Sequence, residues 1–209
     1  KHSTHVGGEI KNFNADDYVS KKRARLMGRT SQLAIAAARL ALEDAKLNKD
    51  SMTNNTTGVC MGTTMGEIQS VEGADHLWVK SGRNKVGNMS LHQSPVNNIP
   101  SNIALEFKLK GRNRIFTTAC AAGNYAIGHG CDLLQAGESD IVVAGGSDAL
   151  SWIAFTGFNK VSATAPDKCR PFDKNRKGMI PGEGAGIVVL EPLEKALERN
   201  AHIYAEILG

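Results

Sequence analysis

Apolar positions along the chain switch between two periods. Over 30–46 they recur at helical spacing, with Leu33, Ala37, Leu40 and Ala41 on one stripe. Thr30 and Ser31 stand where a hydroxyl can accept from the free N–H groups of a first turn. Thr57-Gly-Val-Cys-Met-Gly62 is too short and too evenly apolar for a surface helix and reads as a buried strand. A helix over 67–80 follows. Pro95 and Pro100 then punctuate the chain. Pro100 falls in the first turn of a helix running to 108, where its missing N–H would be unpaired in any case. Strand 114–118, helix 120–136 and strand 140–145 spell a βαβ unit. Strand 184–190, a short helix opened by Pro192 through 199 and a last strand over 203–208 complete the pattern. Such alternation predicts an α/β fold with a largely buried sheet, and shows no repeat, linker or domain boundary.

Helix 120–136 goes against propensity. It holds Ala121, Ala122, Gly123, Ala126, Gly128 and Gly130, and each glycine costs about 1 kcal/mol relative to alanine. Small side chains let a helix lie close to neighbours on all sides, so a central helix buried between layers is expected. Cys120 opens this helix directly after a strand. A thiol there faces unpaired backbone N–H groups and the positive end of the helix dipole, both of which favour the thiolate. The strand-to-helix turn would expose its sulfur in the manner of a nucleophile elbow. A cysteine among small residues otherwise reads as a packing residue; its place at the junction singles Cys120 out.

The other thiols lack that setting. Cys131 lies on nearly the same helical face but about 16 Å deeper by helix rise, Cys60 sits within a strand, and Cys169 falls in a loop. A histidine partner for Cys120 is not evident. His129 would lie about 13 Å along the same helix and half a turn round. His76 and His92 read as surface or loop residues that only an unforeseen tertiary contact would bring near.

Composition adds bounds. With 209 residues, 41% hydrophobic and 22% charged, the chain is expected to form a soluble domain with a real core. No apolar run approaches the roughly 20 residues needed to span a bilayer, and Lys1-His-Ser-Thr-His5 is not followed by a signal-peptide core. A cytoplasmic location is therefore expected. The four cysteines form no C-x-x-C pair and no dense framework, so reduced thiols are expected and a metal site is not. Net charge is +4, with Lys21, Lys22, Arg23, Arg25 and Arg29 inside nine residues that contain no acid. Such a run is either a solvated helix face or a patch for an acidic partner. Aromatic residues are only 5%, which argues against nucleic acid. Pro181-Gly-Glu-Gly-Ala-Gly186 is no dinucleotide loop, because its glycines precede a strand instead of opening a helix. The turn Val143-Ala-Gly-Gly-Ser-Asp148 is similarly weak as a phosphate loop.

Four motifs in one order carry a resemblance: Thr117-Thr-Ala-Cys-Ala-Ala-Gly123, Val143-Ala-Gly-Gly146, Arg170-Pro-Phe-Asp173 and Gly182-Glu-Gly-Ala-Gly186. Together they resemble the N-terminal half of β-ketoacyl-acyl-carrier-protein synthases, most closely the elongating condensing enzymes of type II fatty acid synthesis. The resemblance implies a thiolase-like fold, two similar α/β halves in α-β-α-β-α layers, and a homodimer without cofactor. It implies that Cys120 takes an acyl group from an acyl-carrier protein as a thioester. The carbanion left when a malonyl thioester loses carbon dioxide then attacks that thioester, giving a 3-oxoacyl product. By the same resemblance Met65 is the gate of the acyl pocket and Phe158 a mobile wall near the cysteine, although both would serve equally as core side chains. Lys22 and Arg25 match positions that receive the acidic carrier protein, and Arg83 and Lys85 extend that surface. The family's opening Gly-rich strand and helix are not found, nor is the second half that supplies two histidines, a lysine and a Gly-rich loop. The resemblance therefore implies a piece of a chain about twice as long. The rival expectation is a non-catalytic partner subunit that shapes chain length; such subunits lack the active cysteine. A coenzyme A-dependent thiolase is a further alternative, but the sequence offers no nucleotide site for it.

Overall fold

Two strands of nearly unbroken buried residues carry the fold: β1 (Thr57–Gly62) and β3 (Ile141–Asp148). The computed structural model describes residues 2–48, 52 and 56–208. With β2 (Asn113–Phe116) and β4 (Gly184–Leu190) these strands form a four-stranded sheet in the order β2-β1-β3-β4. β1 runs parallel to both of its neighbours, and β4 is antiparallel to β3. The βαβ unit read from the sequence is present, but β1 lies between its two strands.

The helices are α1 (Lys21–Ala24), α2 (Arg29–Asp44), α3 (Ile68–Ser81), α4 (Asn88–Gln93), α5 (Asn98–Phe107), α6 (Ala122–Gln135), α7 (Trp152–Lys160) and α8 (Leu193–Glu198). Strand periodicity divides the core between the two faces of the sheet. Val59, Met61, Ile141 and Val143 pack with Ala34, Ile35, Ala38 and Leu42 of α2 and with Ile99 and Ile103 of α5. Cys60, Val142 and Ala144 point the other way, toward Ala126 and Leu133 of α6 and Leu190. Ile35, Ile99 and Ile103 are wholly buried, and truncating any of them to alanine would cost about 2–5 kcal/mol.

Of the small residues of α6, Ala122, Ala126 and Gly130 are buried, whereas Gly128 is exposed with open space beside it. A Cβ added at Gly130 would meet Leu190 Cδ1 at 2.9 Å and Val142 Cγ1 at 3.1 Å. The other side of α6 is open, with Tyr125 58% exposed, so the expected burial on all sides is corrected to burial on one. Among the described residues nothing else covers that face.

The start of α2 also differs from expectation. Thr30 and Ser31 lie inside the helix, whose N-cap position is Gly28. The cap comes from a distant carboxylate: Glu67 accepts from the backbone N–H of Thr30 at 3.1 Å and of Ser31 at 2.7 Å. Pro100 is the third residue of α5, as its fixed φ favours, and α5 ends at Lys108 in the left-handed region. The last strand expected over 203–208 is not formed. Its alternation finds no neighbouring strand to bond among the described residues, Tyr204 is 76% exposed, and the Tyr204 hydroxyl instead donates to Asp44 at 3.1 Å. Among the described residues no helix is long and apolar enough to cross a membrane.

Candidate active site

β1, β3 and the turn that opens α6 converge at the carboxyl end of the parallel strands, where ligands of α/β sheets bind. They enclose an open cavity of about 330 Å³, lined among others by Gly62, Thr63, Cys120, Gly123, Asp148 and Gly186. Cys120 is exposed there, in the 3₁₀ turn Ala119–Ala121 that precedes α6. Ala119 holds φ 52°, a left-handed conformation that costs a residue bearing a Cβ about 1–3 kcal/mol. The strain turns the chain from β2 into α6 and lifts the thiol into the opening. The elbow expected from the sequence is present, with its strain on the residue before the cysteine. Gly62 permits the closeness of the parts: a Cβ there would lie 2.3 Å from the carbonyl carbon of Ala122.

Part of the wall of the same cavity is the segment after β1, which is held by side chains from elsewhere. The Asp148 carboxylate accepts from Thr63 Oγ1 at 2.8 Å, from Thr64 N–H at 2.9 Å and from Met65 N–H at 2.9 Å. Thr63 Oγ1 accepts in turn from Gly66 N–H at 2.9 Å. Thr30 donates its hydroxyl to Gly66 O at 2.7 Å, and Ser147 donates to Thr30 O at 2.9 Å. Burial pushes the Glu67 carboxyl above its ordinary range, opposed by its hydrogen bonds from Ser31 and Thr30. The sequence reading missed Asp148, Ser147 and Glu67. A strand carried on to Asp148 instead of stopping at 145 would have placed Ser147 and Asp148 on opposite faces of the sheet at the mouth of the site.

The basic run divides once partners are known. Arg29 forms an ion pair with Glu183 at 2.8 Å, and Arg23 pairs with Glu106 at 2.9 Å. Glu183 also accepts from the N–H groups of Ile10 and Leu150. Burial would raise its carboxyl, yet the hydrogen bonds from Arg29, Ile10 and Leu150 and the Arg29 charge outweigh burial and hold it below the ordinary range. Lys22 and Arg25 remain exposed, as do Arg83 and Lys85 in the 3₁₀ turn Arg83–Lys85. Gln93 of α4 donates to Arg25 O at 3.2 Å, which brings α4 against the exit of α1.

Met65 is half-buried and next in sequence to Thr63 and Thr64 of the cavity wall; its own side chain is not among the lining groups. Phe158 is half-buried on α7 and also lies outside the lining. His129 packs on Phe116 with ring centroids 5.3 Å apart, away from the opening, as the helix geometry required. His76 and His92 are exposed. Among the described residues no histidine lines the cavity. Cys60 is wholly buried, and burial, eased a little by the Arg114 charge, pushes its thiol up to about 11. Burial and then the Asp132 charge raise Cys131. Cys169 is exposed in the loop that carries Arg170-Pro-Phe-Asp173.

Comparison with known proteins agrees with this arrangement. Residues 1–196 match the family model of the β-ketoacyl synthase N-terminal domain. The 3-oxoacyl-acyl-carrier-protein synthase 2 of Staphylococcus aureus is 37% identical over 214 residues, covering 100% of this chain and 53% of that protein. The chain thus spans about half the length of the curated relatives it matches. Among solved structures, the ishigamide ketosynthase/chain length factor superposes with a TM-score of 0.92 at 38% identity, over 96% of this chain and 50% of that one. A β-ketoacyl synthase from Burkholderia phymatum STM815 gives 0.83 at 32% identity, over 97% and 51%. The mixed sheet with helices on both faces is the thiolase-like α/β arrangement of these ketosynthases.

Proposed function

On the premise that this chain belongs to the β-ketoacyl synthase family, we propose that it supplies the acyl-accepting half of a 3-oxoacyl-acyl-carrier-protein synthase. The observation that carries this reading is the exposed Cys120 in the 3₁₀ turn that precedes α6, in a cavity at the strand ends. Its sulfur attacks the carbonyl of an acyl-carrier thioester. The new C–S bond forms as the carrier thiolate leaves and takes up a proton, with the backbone N–H of Cys120 helping to hold the oxyanion. A malonyl-carrier thioester then loses carbon dioxide. Its carbanion attacks the Cys120 thioester, expelling the Cys120 thiolate and giving a 3-oxoacyl chain two carbons longer.

Met65 is assigned as the gate of the acyl pocket and Phe158 as a wall near the cysteine. Lys22, Arg25, Arg83 and Lys85 are assigned to docking of the acidic carrier protein; their exposure and like charge support this. The enzyme is read as a cytoplasmic homodimer, with the groups that drive decarboxylation supplied from outside these residues. The test is intact-mass analysis of the native gene product incubated with acyl-carrier-protein thioesters of several lengths, beside its Cys120→Ala variant. An acyl adduct on Cys120 alone supports the reading. A folded protein that forms no adduct with any donor overturns it and favours a non-catalytic partner subunit.

A further inference from the structure

We infer that Asp148 is a positioning residue that fixes the Thr63-Thr64 wall of the cavity that also holds Cys120, and thereby sets which acyl thioesters the site accepts. The inference rests on the reading that Cys120 receives an acyl group. The segment joining β1 to α3 has no regular secondary structure, and among the described residues its one tie to the sheet backbone is at its start, where Thr63 N–H donates to Phe116 O at 3.0 Å. One carboxylate supplies most of the rest. Asp148 Oδ1 takes the Thr63 hydroxyl at 2.8 Å and the N–H groups of Thr64 and Met65 at 2.9 Å each, and Oδ2 shares the Thr64 N–H at 3.0 Å. Gly66 then turns with φ 61°, its N–H on Thr63 Oγ1. The far end of the segment is tied to the same strand by a second route, from Ser147 Oγ to Thr30 O and from Thr30 Oγ1 to Gly66 O.

The geometry gives these bonds a consequence beyond stability. Thr63, Thr64 and Cys120 line the same cavity, and Asp148 itself reaches the lining. A shift of this segment changes the distance between wall and nucleophile, and it carries along Met65, whose backbone hangs from the same carboxylate. Misplacing a wall by about 1 Å is enough to change rates on the order of tenfold to a hundredfold. An acyl chain that must pass this wall feels the shift more than a short one.

The experiment measures Cys120 acylation by intact mass in the native gene product, with short- and long-chain acyl-carrier-protein thioesters, for Asp148→Ala, Asp148→Asn and Asp148→Glu. The expected result for Asp148→Ala is an altered long-to-short selectivity ratio, by about tenfold, with KM changed more than kcat. Asp148→Asn, which keeps one acceptor oxygen, falls between Asp148→Ala and wild type, and Asp148→Glu restores the wild-type ratio. A folded Asp148→Ala with the wild-type ratio, or an equal loss in kcat at every chain length, overturns the inference. If Asp148→Ala does not fold, the isosteric Asp148→Asn decides by the same ratio. A wild-type protein that takes no acyl group from any donor removes the functional reading itself, and this inference with it.

Discussion

Arg29 and Glu183 stand 154 positions apart in the chain and meet at 2.8 Å, with the Glu183 side chain only 2% exposed. The pair joins the start of α2 to the glycine-rich turn that leads into β4, one side of the cavity. Arg29→Ala would leave a buried carboxylate without its counter-charge and should cost about 3 kcal/mol. Denaturant unfolding at neutral pH checks this.

The pH dependence of that pair has a definite sign. Because the native Glu183 carboxyl titrates below its ordinary 4.5, its contribution is complete above that value and is lost as pH falls through the native one. Glu183→Gln should therefore flatten part of the acid limb of a stability curve. Glu67, raised by burial, acts in the opposite sense: stability is greatest below 4.5 and declines as pH rises through its native value. Relative to wild type, Glu67→Gln should gain stability with pH over that higher window.

Gly28 and Glu67 are coupled sterically. A Cβ at Gly28 would stand 2.1 Å from Glu67 Oε2 and 2.6 Å from its Cδ, while Glu67 is pinned by its cap on α2. Gly28→Ala should cost about 1–3 kcal/mol, and Glu67→Ala about 2 kcal/mol for the two N–H groups it leaves unpaired. The double variant should cost less than the sum, since the shortened side chain relieves the clash; a double-mutant cycle measures the difference.

Gly62→Ala should damage the site more than the fold around it. The new methyl would meet backbone atoms of Ala122 and Gly123 at 2.3–2.4 Å, which no side-chain rotation relieves. The first turn of α6 must move, and Cys120 with it. We expect a loss of about 2–3 kcal/mol and a tenfold or greater fall in acylation rate, read by thermal unfolding and intact mass.

Thiol chemistry should rank the four cysteines. Cys120 and Cys169 are exposed and Cys60 is wholly buried, with its thiol pushed up to about 11. Brief iodoacetamide treatment of the native protein should alkylate Cys120 and Cys169, leave Cys60 untouched and reach Cys131 slowly. Peptide mapping tells them apart. Cys120→Ala should change stability by no more than about 0.5 kcal/mol, as expected at an exposed position.

Much of this was legible along the chain. Thr57–Gly62 and Gly184–Leu190 are strands with the bounds their patterns implied, and α6 begins within two residues of Cys120. Polarity period, glycine and proline act over a few neighbouring residues, so local sequence carries them. The strand order β2-β1-β3-β4, with β1 inserted between β2 and β3, was decided by packing. So was the failure of 203–208 to become a strand, because a ladder needs a neighbour that periodicity cannot provide. The same reason hides the groups that build the site. Glu67 caps a helix 37 positions away, Asp148 holds a segment 85 positions away and Glu183 takes an arginine 154 positions away. Carboxylates look alike in sequence, and only the fold brings each one to the N–H groups or the cation that makes its burial favourable.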